Sequence, residues 1–116
     1  MRDQAREACH NYLVATNSFY QAVGQVYLRA SRAEKFDQHE YVRAAITALQ
    51  DAYVYLTISA GAEVRKIARE YNKSLYELRG AAQRADTDEW RRVERETHDK
   101  RRILREAMRT ELGVQD

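Results

Sequence analysis

The 116-residue chain has no proline and four glycines. A sheet protein needs turn residues at short intervals, and they are missing. Nothing in the proline content forces a helix to stop. The one cysteine, Cys9, excludes an intramolecular disulfide and a cysteine-based zinc site. No run of about 18 apolar residues is present, so no segment reads as membrane-spanning. No N-terminal stretch combines a basic end, an apolar core and a small-residue cleavage site, and a cytoplasmic protein is the expectation. Charge of one sign is also scarce: 33% of residues are charged, yet the net charge is +2.

What is abundant is helix-forming. Alanine, arginine and glutamate are the three commonest residues. The reading is a single all-α domain, 1–116. Asp37-Gln38-His39-Glu40 and Asp86-Thr87-Asp88-Glu89 both have the form of a capping box, an acidic cap with glutamate three residues on. Gly113 follows Leu112, where a left-handed C-terminal cap belongs. These marks delimit helices at about 3–33, 38–84 and 87–112, hence an antiparallel bundle of three long helices. The middle helix keeps one apolar phase from Val42 through Leu49, Leu56, Val64 and Leu75 to Ala82. Continuous, it would be roughly 70 Å long at about 1.5 Å per residue. The alternative is a break near Gly61, which gives a four-helix bundle.

The first helix carries a coiled-coil-like ladder: Ala5, Cys9, Tyr12, Thr16, Phe19, Val23, Val26 and Ala30. Across the second turn, antiparallel pairing sets Thr97 opposite Ser74 and Arg101 opposite Tyr71, so polar positions meet polar ones. Tyr12, Tyr53 and Tyr71 could then line a small pocket with Arg101 beside it. In the continuous-helix form, the third helix is too short to cover residues 41–60, which carry only Arg43 and Asp51 as charges. The stripe Tyr41, Ala45, Ala48, Ala52 and Tyr55 would be left open. So would Ala15 and Ala22 on one flank of the first helix, and Leu13, Tyr20 and Tyr27 on the other. Small residues permit close helix approach, and tyrosines suit interfaces. These residues predict pairing with a second copy or with another helical protein.

The last helix with its tail is arginine-rich but interleaved with acid, eight positive against nine negative groups over 86–116. Asp88/Arg92, Glu96/Lys100 and Arg102/Glu106 sit four apart, as surface ion pairs do. The basic residues Arg91, Arg92, Lys100, Arg101, Arg102 and Arg105 support a second reading, a nucleic-acid-binding accessory subunit, whose affinity would fall steeply with salt.

Catalytic signals are thin. Glu7-Ala8-Cys9-His10 is one Glu-x-x-His motif where a di-metal carboxylate bundle needs two. No metal and no cofactor is expected. Arg92 and His98 enclose five residues. That spacing resembles the Arg-x(4–6)-His motif of HEPN-type ribonucleases, small α-helical dimers. The resemblance implies that His98 assists proton transfer and that Arg92 holds the scissile phosphate. The polar residue that often follows the arginine in that family is Val93 here, and Arg32 and His39 match the spacing too. The leading functional expectation is a non-enzymatic interaction or adaptor protein, with the nucleic-acid and ribonuclease readings as alternatives.

Overall fold

The computed structural model describes residues 2–113, with Arg2 described by its backbone alone. Four helices follow in order: α1 Arg2–Ser31, α2 Gln38–Ser59, α3 Ala62–Arg84 and α4 Thr87–Leu112. Among the described residues there is no strand, and no helix is long and apolar enough to cross a membrane. The long middle helix of the sequence reading is therefore two helices, and the alternative with a break at Gly61 holds. The described chain measures 47 × 25 × 21 Å, well short of a continuous middle helix.

The break occupies two residues. Ala60 (φ −97°, ψ 159°) and Gly61 (φ −72°, ψ 171°) are both extended, and the chain reverses across them. The Ala60 amide still donates to the Leu56 carbonyl, closing α2. Gly61 caps α3 without a side chain of its own, so its amide needs an outside acceptor. Glu111, in the last turn of α4, supplies it: Oε1 accepts from Gly61 N at 2.8 Å. A carboxylate at a helix N-terminus also suits the dipole.

The other boundaries follow the local chemistry. The Asp37 and Asp86 side chains accept from the amides of Glu40 and Glu89 at 3.0 and 3.1 Å. The reciprocal half of each capping box is not made, because Glu40 pairs with Arg43 and Glu89 with Arg84. Gly113 closes α4 with φ 69°. Two other helix ends place alanine in the same left-handed conformation, Ala33 after α1 (φ 55°) and Ala85 after α3 (φ 52°). After α1, Glu34 N reaches the Arg29 carbonyl and Ala33 N that of Ala30, the two bonds of a Schellman turn. A Cβ in that conformation is strained by about 1 kcal/mol or more. Ala33→Gly and Ala85→Gly are each expected to stabilise the fold by about 0.5–1 kcal/mol, read as a higher urea midpoint at unchanged m.

Side-chain pairs fix the helix directions. Tyr12 meets Tyr53 (ring centroids 6.0 Å apart) and Arg29 covers Tyr41, so α1 and α2 are antiparallel. Ser74 meets Thr97 and Tyr71 meets Arg101, so α3 and α4 are antiparallel. Tyr12 bonds Asn72 and Phe19 packs on Tyr76, so α1 runs parallel to α3. Tyr27 stacks on Trp90 and Tyr20 reaches Glu94, so α1 and α4 are antiparallel. Two hairpins, α1–α2 and α3–α4, thus pack through α1 and α3, while α2 and α4 make no close backbone approach. The core between them holds Tyr12, Phe19, Leu49, Leu56, Tyr71, Leu75, Leu78 and Leu104, none more than 2% exposed.

Candidate functional site

Folding back at Gly61 uses most of the surface that the sequence leaves open. Ala15 is buried. Leu13, Tyr20, Ala22, Tyr27, Ala45, Ala52 and Tyr55 are half-buried against the core. Tyr41 and Ala48 stay exposed. Tyr27 lies on Trp90 with ring centroids 4.5 Å apart and planes 3° from parallel, and its hydroxyl donates to Thr87 Oγ1 at 2.9 Å. The α3–α4 hairpin covers this flank of α1, whereas α4 makes no close approach to α2, the helix of residues 41–60. What remains apolar and exposed on α1 and α2 is a smaller set, chiefly Val14, Val54 and Ile58.

Beneath the surface lies a polar layer. Ser74 Oγ and Thr97 Oγ1 are 2.7 Å apart, and Thr97 also donates to the Val93 carbonyl. Tyr12 OH donates to Asn72 Oδ1 at 2.9 Å. Arg101 Nη1 donates to Thr16 Oγ1 at 2.9 Å and to Tyr71 OH at 3.1 Å. The Thr16 hydroxyl in turn donates to the Leu13 carbonyl at 2.9 Å. Of the residues anticipated around a pocket, Tyr12 is buried edge-on to Tyr71 at 6.3 Å, and Tyr71 and Arg101 border a small recess. Burial pushes the Tyr12 phenol well above its ordinary value, with Tyr71 and Tyr53 adding to the effect. Tyr20 is pushed up to about 12, first by burial and then by its 2.5 Å bond to Glu94 Oε2. Cys9, buried on the seam, is pushed up to about 11 by burial and then by Glu111.

The basic residues of α4 divide by flank. Arg91, His98 and Arg105 form one file at seven-residue spacing, and Arg95, Arg102 and Arg109 form a second. His98, Arg101, Arg102, Arg105 and Arg109 line an open groove of about 380 Å³, with Glu106 as its acid. A recess of about 110 Å³ shares His98 and Arg101 with that groove and adds Asn17, Tyr20, Tyr71 and Thr97. Three of the predicted nucleic-acid residues, Arg91, Arg92 and Lys100, line neither the groove nor the recess. Arg92 pairs with Glu96 at 3.2 Å and lines a hollow with Lys73, Glu77 and Glu89. Lys100 is half-buried and lines neither cavity.

Arg92 and His98 also face different cavities, as six residues of helix place them roughly 120° apart around the axis. The structure does not bring the ribonuclease-like pair to one site. Sequence reading missed Asn17 and Tyr20 in the recess and Arg109 in the groove. The heptad spacing of the two basic files was the available signal for Arg109.

No family model, curated protein or solved structure matches the chain.

Proposed function

We propose that this chain is a non-catalytic helical adaptor that works by pairing with a second copy of itself through the outer face of α2. The observation that carries this reading is Val54 and Ile58, one helical turn apart and 56% and 72% exposed. They stand on a helix whose only charged residues are Glu40, Arg43 and Asp51. Isolated exposed aliphatics are ordinary, whereas a weakly charged helix face with neighbouring aliphatics is the kind of surface that interfaces use. Tyr12 pairs with Tyr53, so the exposed Val14 of α1 stands level with this turn.

A two-fold contact requires a patch that complements itself. Two copies of α2 laid antiparallel about Thr47 meet that requirement. Arg43 then falls opposite Asp51 in both directions, and Ile58 falls opposite Phe36 of the other copy. Phe36 packs edge-on against the exposed Tyr41, 6.0 Å between centroids, an aromatic corner able to receive an aliphatic side chain. The adaptor role follows from this arrangement: pairing through α2 leaves the α4 side of each copy open to other molecules.

Sedimentation velocity at micromolar concentration tests the reading. The expected result is a dimer that becomes a monomer in the Val54→Glu, Ile58→Glu double variant, with unchanged helix content because both positions are exposed. A wild-type protein that stays monomeric overturns it, as does a dimer indifferent to those two substitutions.

A further inference from the structure

We infer that the basic groove along α4 binds a small phosphomonoester, its terminal phosphoryl group seated in the adjoining recess against Arg101 and His98. This site is independent of the α2 face and of the pairing proposed for it.

Arg101 is the origin of the argument. It is half-buried, and among the described residues no carboxylate lies within ion-pairing distance of it. Buried charge is ordinarily paired, because an uncompensated ion away from water is costly. Here the neighbours add to the cost rather than relieve it: the same groove is lined by His98, Arg102 and Arg105. Three acids of α4 are engaged elsewhere. Glu94 accepts from Tyr20, Glu96 pairs with Arg92 and Glu89 with Arg84. Glu106, the acid of the groove, stands 3.8 Å from Arg102 on the exposed surface. An anion is the missing component of this cluster.

The geometry favours one kind of anion. Both hydrogen bonds of the Arg101 guanidinium leave from Nη1, to the buried Thr16 and Tyr71, which fix the plane of the group. That leaves the edge formed by Nε and Nη2, the fork that recognises carboxylate and phosphate oxygens in pairs. The recess of about 110 Å³ is floored by the buried Thr97 and Tyr71 and walled by Asn17, Tyr20 and His98. His98 is held edge-on against Tyr20 at 5.4 Å. A floored recess takes a terminal group and not a chain passing through, so a monoester enters where a backbone diester does not. Arg102 and Arg105 then meet the second negative charge at the mouth, and the 380 Å³ groove leaves room for the organic part of the ligand. A carboxylate would use the fork but not the additional cations.

The test is a titration of the full chain, followed by NMR at the His98 ring and the Arg101 Nε–H, with inorganic phosphate, adenosine monophosphate, adenosine and a single-stranded oligonucleotide lacking terminal phosphates. Saturable shifts at both residues are expected with phosphate and with the monophosphate, and none with adenosine. Arg101→Met is expected to weaken the monophosphate about tenfold or more, the value of a lost charge-assisted bond. Circular dichroism establishes that this variant remains helical. Arg105→Ser, at an exposed position, gives a second reading, with a severalfold loss expected. Arg92→Ser, on the other flank, is expected to change nothing. The inference is overturned if neither phosphate nor the monophosphate gives a saturable shift, or if Arg101→Met and Arg105→Ser both bind as the parent does. It is equally overturned if adenosine binds as tightly as its monophosphate, or if only the oligonucleotide binds, with the steep salt dependence of backbone contacts.

Discussion

Trp90→Ala is expected to cost about 3–5 kcal/mol of folding stability, the range for deleting a large buried aromatic. For a domain of this size that is a large fraction of the roughly 5–15 kcal/mol available. Three features place Trp90 at the upper end. It is 7% exposed although it lies in the first full turn of α4. Its ring is stacked on Tyr27 with centroids 4.5 Å apart, a contact that adds to area burial. And it clamps the start of α4 to α1, where the Tyr27–Thr87 hydrogen bond is exposed and contributes little alone. Removing the indole therefore leaves a void that the flanking helices close only by shifting toward each other. Trp90→Phe keeps a ring in that place and is expected to cost less than half as much. Urea unfolding followed by circular dichroism distinguishes them. An alanine variant within 1 kcal/mol of the parent would show that α4 docks on α1 without the Tyr27–Trp90 stack.

Cys9 is expected to react with iodoacetamide at least a hundredfold more slowly in the native protein than in the unfolded chain at neutral pH. The thiolate is the reactive form. Burial and then Glu111 raise the thiol from 9.0 to about 11, and two pH units leave roughly a hundredth of the usual thiolate. Steric exclusion adds to this, since Cys9 is 3% exposed. Labelling in the native protein then proceeds through opening, and its rate measures the free energy of that opening.

The same shift bears on stability. An acid whose folded pKa lies above its unfolded value contributes stability below the unfolded pKa and loses it as pH rises through the folded one. For Cys9 the window runs from 9.0 to about 11, and for Tyr20 from 10.0 to about 12. Tyr12 shifts in the same direction. The urea midpoint is thus expected to fall steadily from about pH 9 upward, and Cys9→Ala to remove the earliest part of that fall. Rapid labelling of native protein, or a flat midpoint to pH 11, would contradict the buried placement of this seam.

The helices, three of their caps and one helix pairing were legible in the sequence. Asp37, Asp86 and Gly113 sit where their chemistry predicts. Ser74–Thr97 and Tyr71–Arg101 meet as the register arithmetic places them, because a short turn and two polar positions leave few antiparallel alternatives. The corner at Ala60–Gly61 was legible only as an alternative. Apolar phase is a property of each helix separately, so it runs on unchanged through two extended residues that reverse the chain. The acceptor that holds the corner, Glu111, is fifty residues away and has no local signature. The groove was half legible. Arg101, Arg102 and Arg105 were singled out, but the chain's near-neutral total concealed how acid and base divide between the flanks of α4. Asn17 and Tyr20 come from α1 and could be found only once the second hairpin had folded across the first.

The corner at Gly61 has a consequence for how copies of this chain can exchange parts. Two hairpins are joined by two residues, and their shared core is built from side chains that would meet equally well if each hairpin came from a different molecule. Were Ala60 and Gly61 to turn helical, α2 and α3 would fuse into one rod without disturbing either apolar face, and the α3–α4 hairpin would dock on a neighbour's α1. The hydrogen bond from Gly61 to Glu111 would be lost in such an exchange, so a single carboxylate in the last turn would favour the folded-back form. Such a pair would be set when the chain folds and would separate only on unfolding, unlike a surface contact made through Ile58.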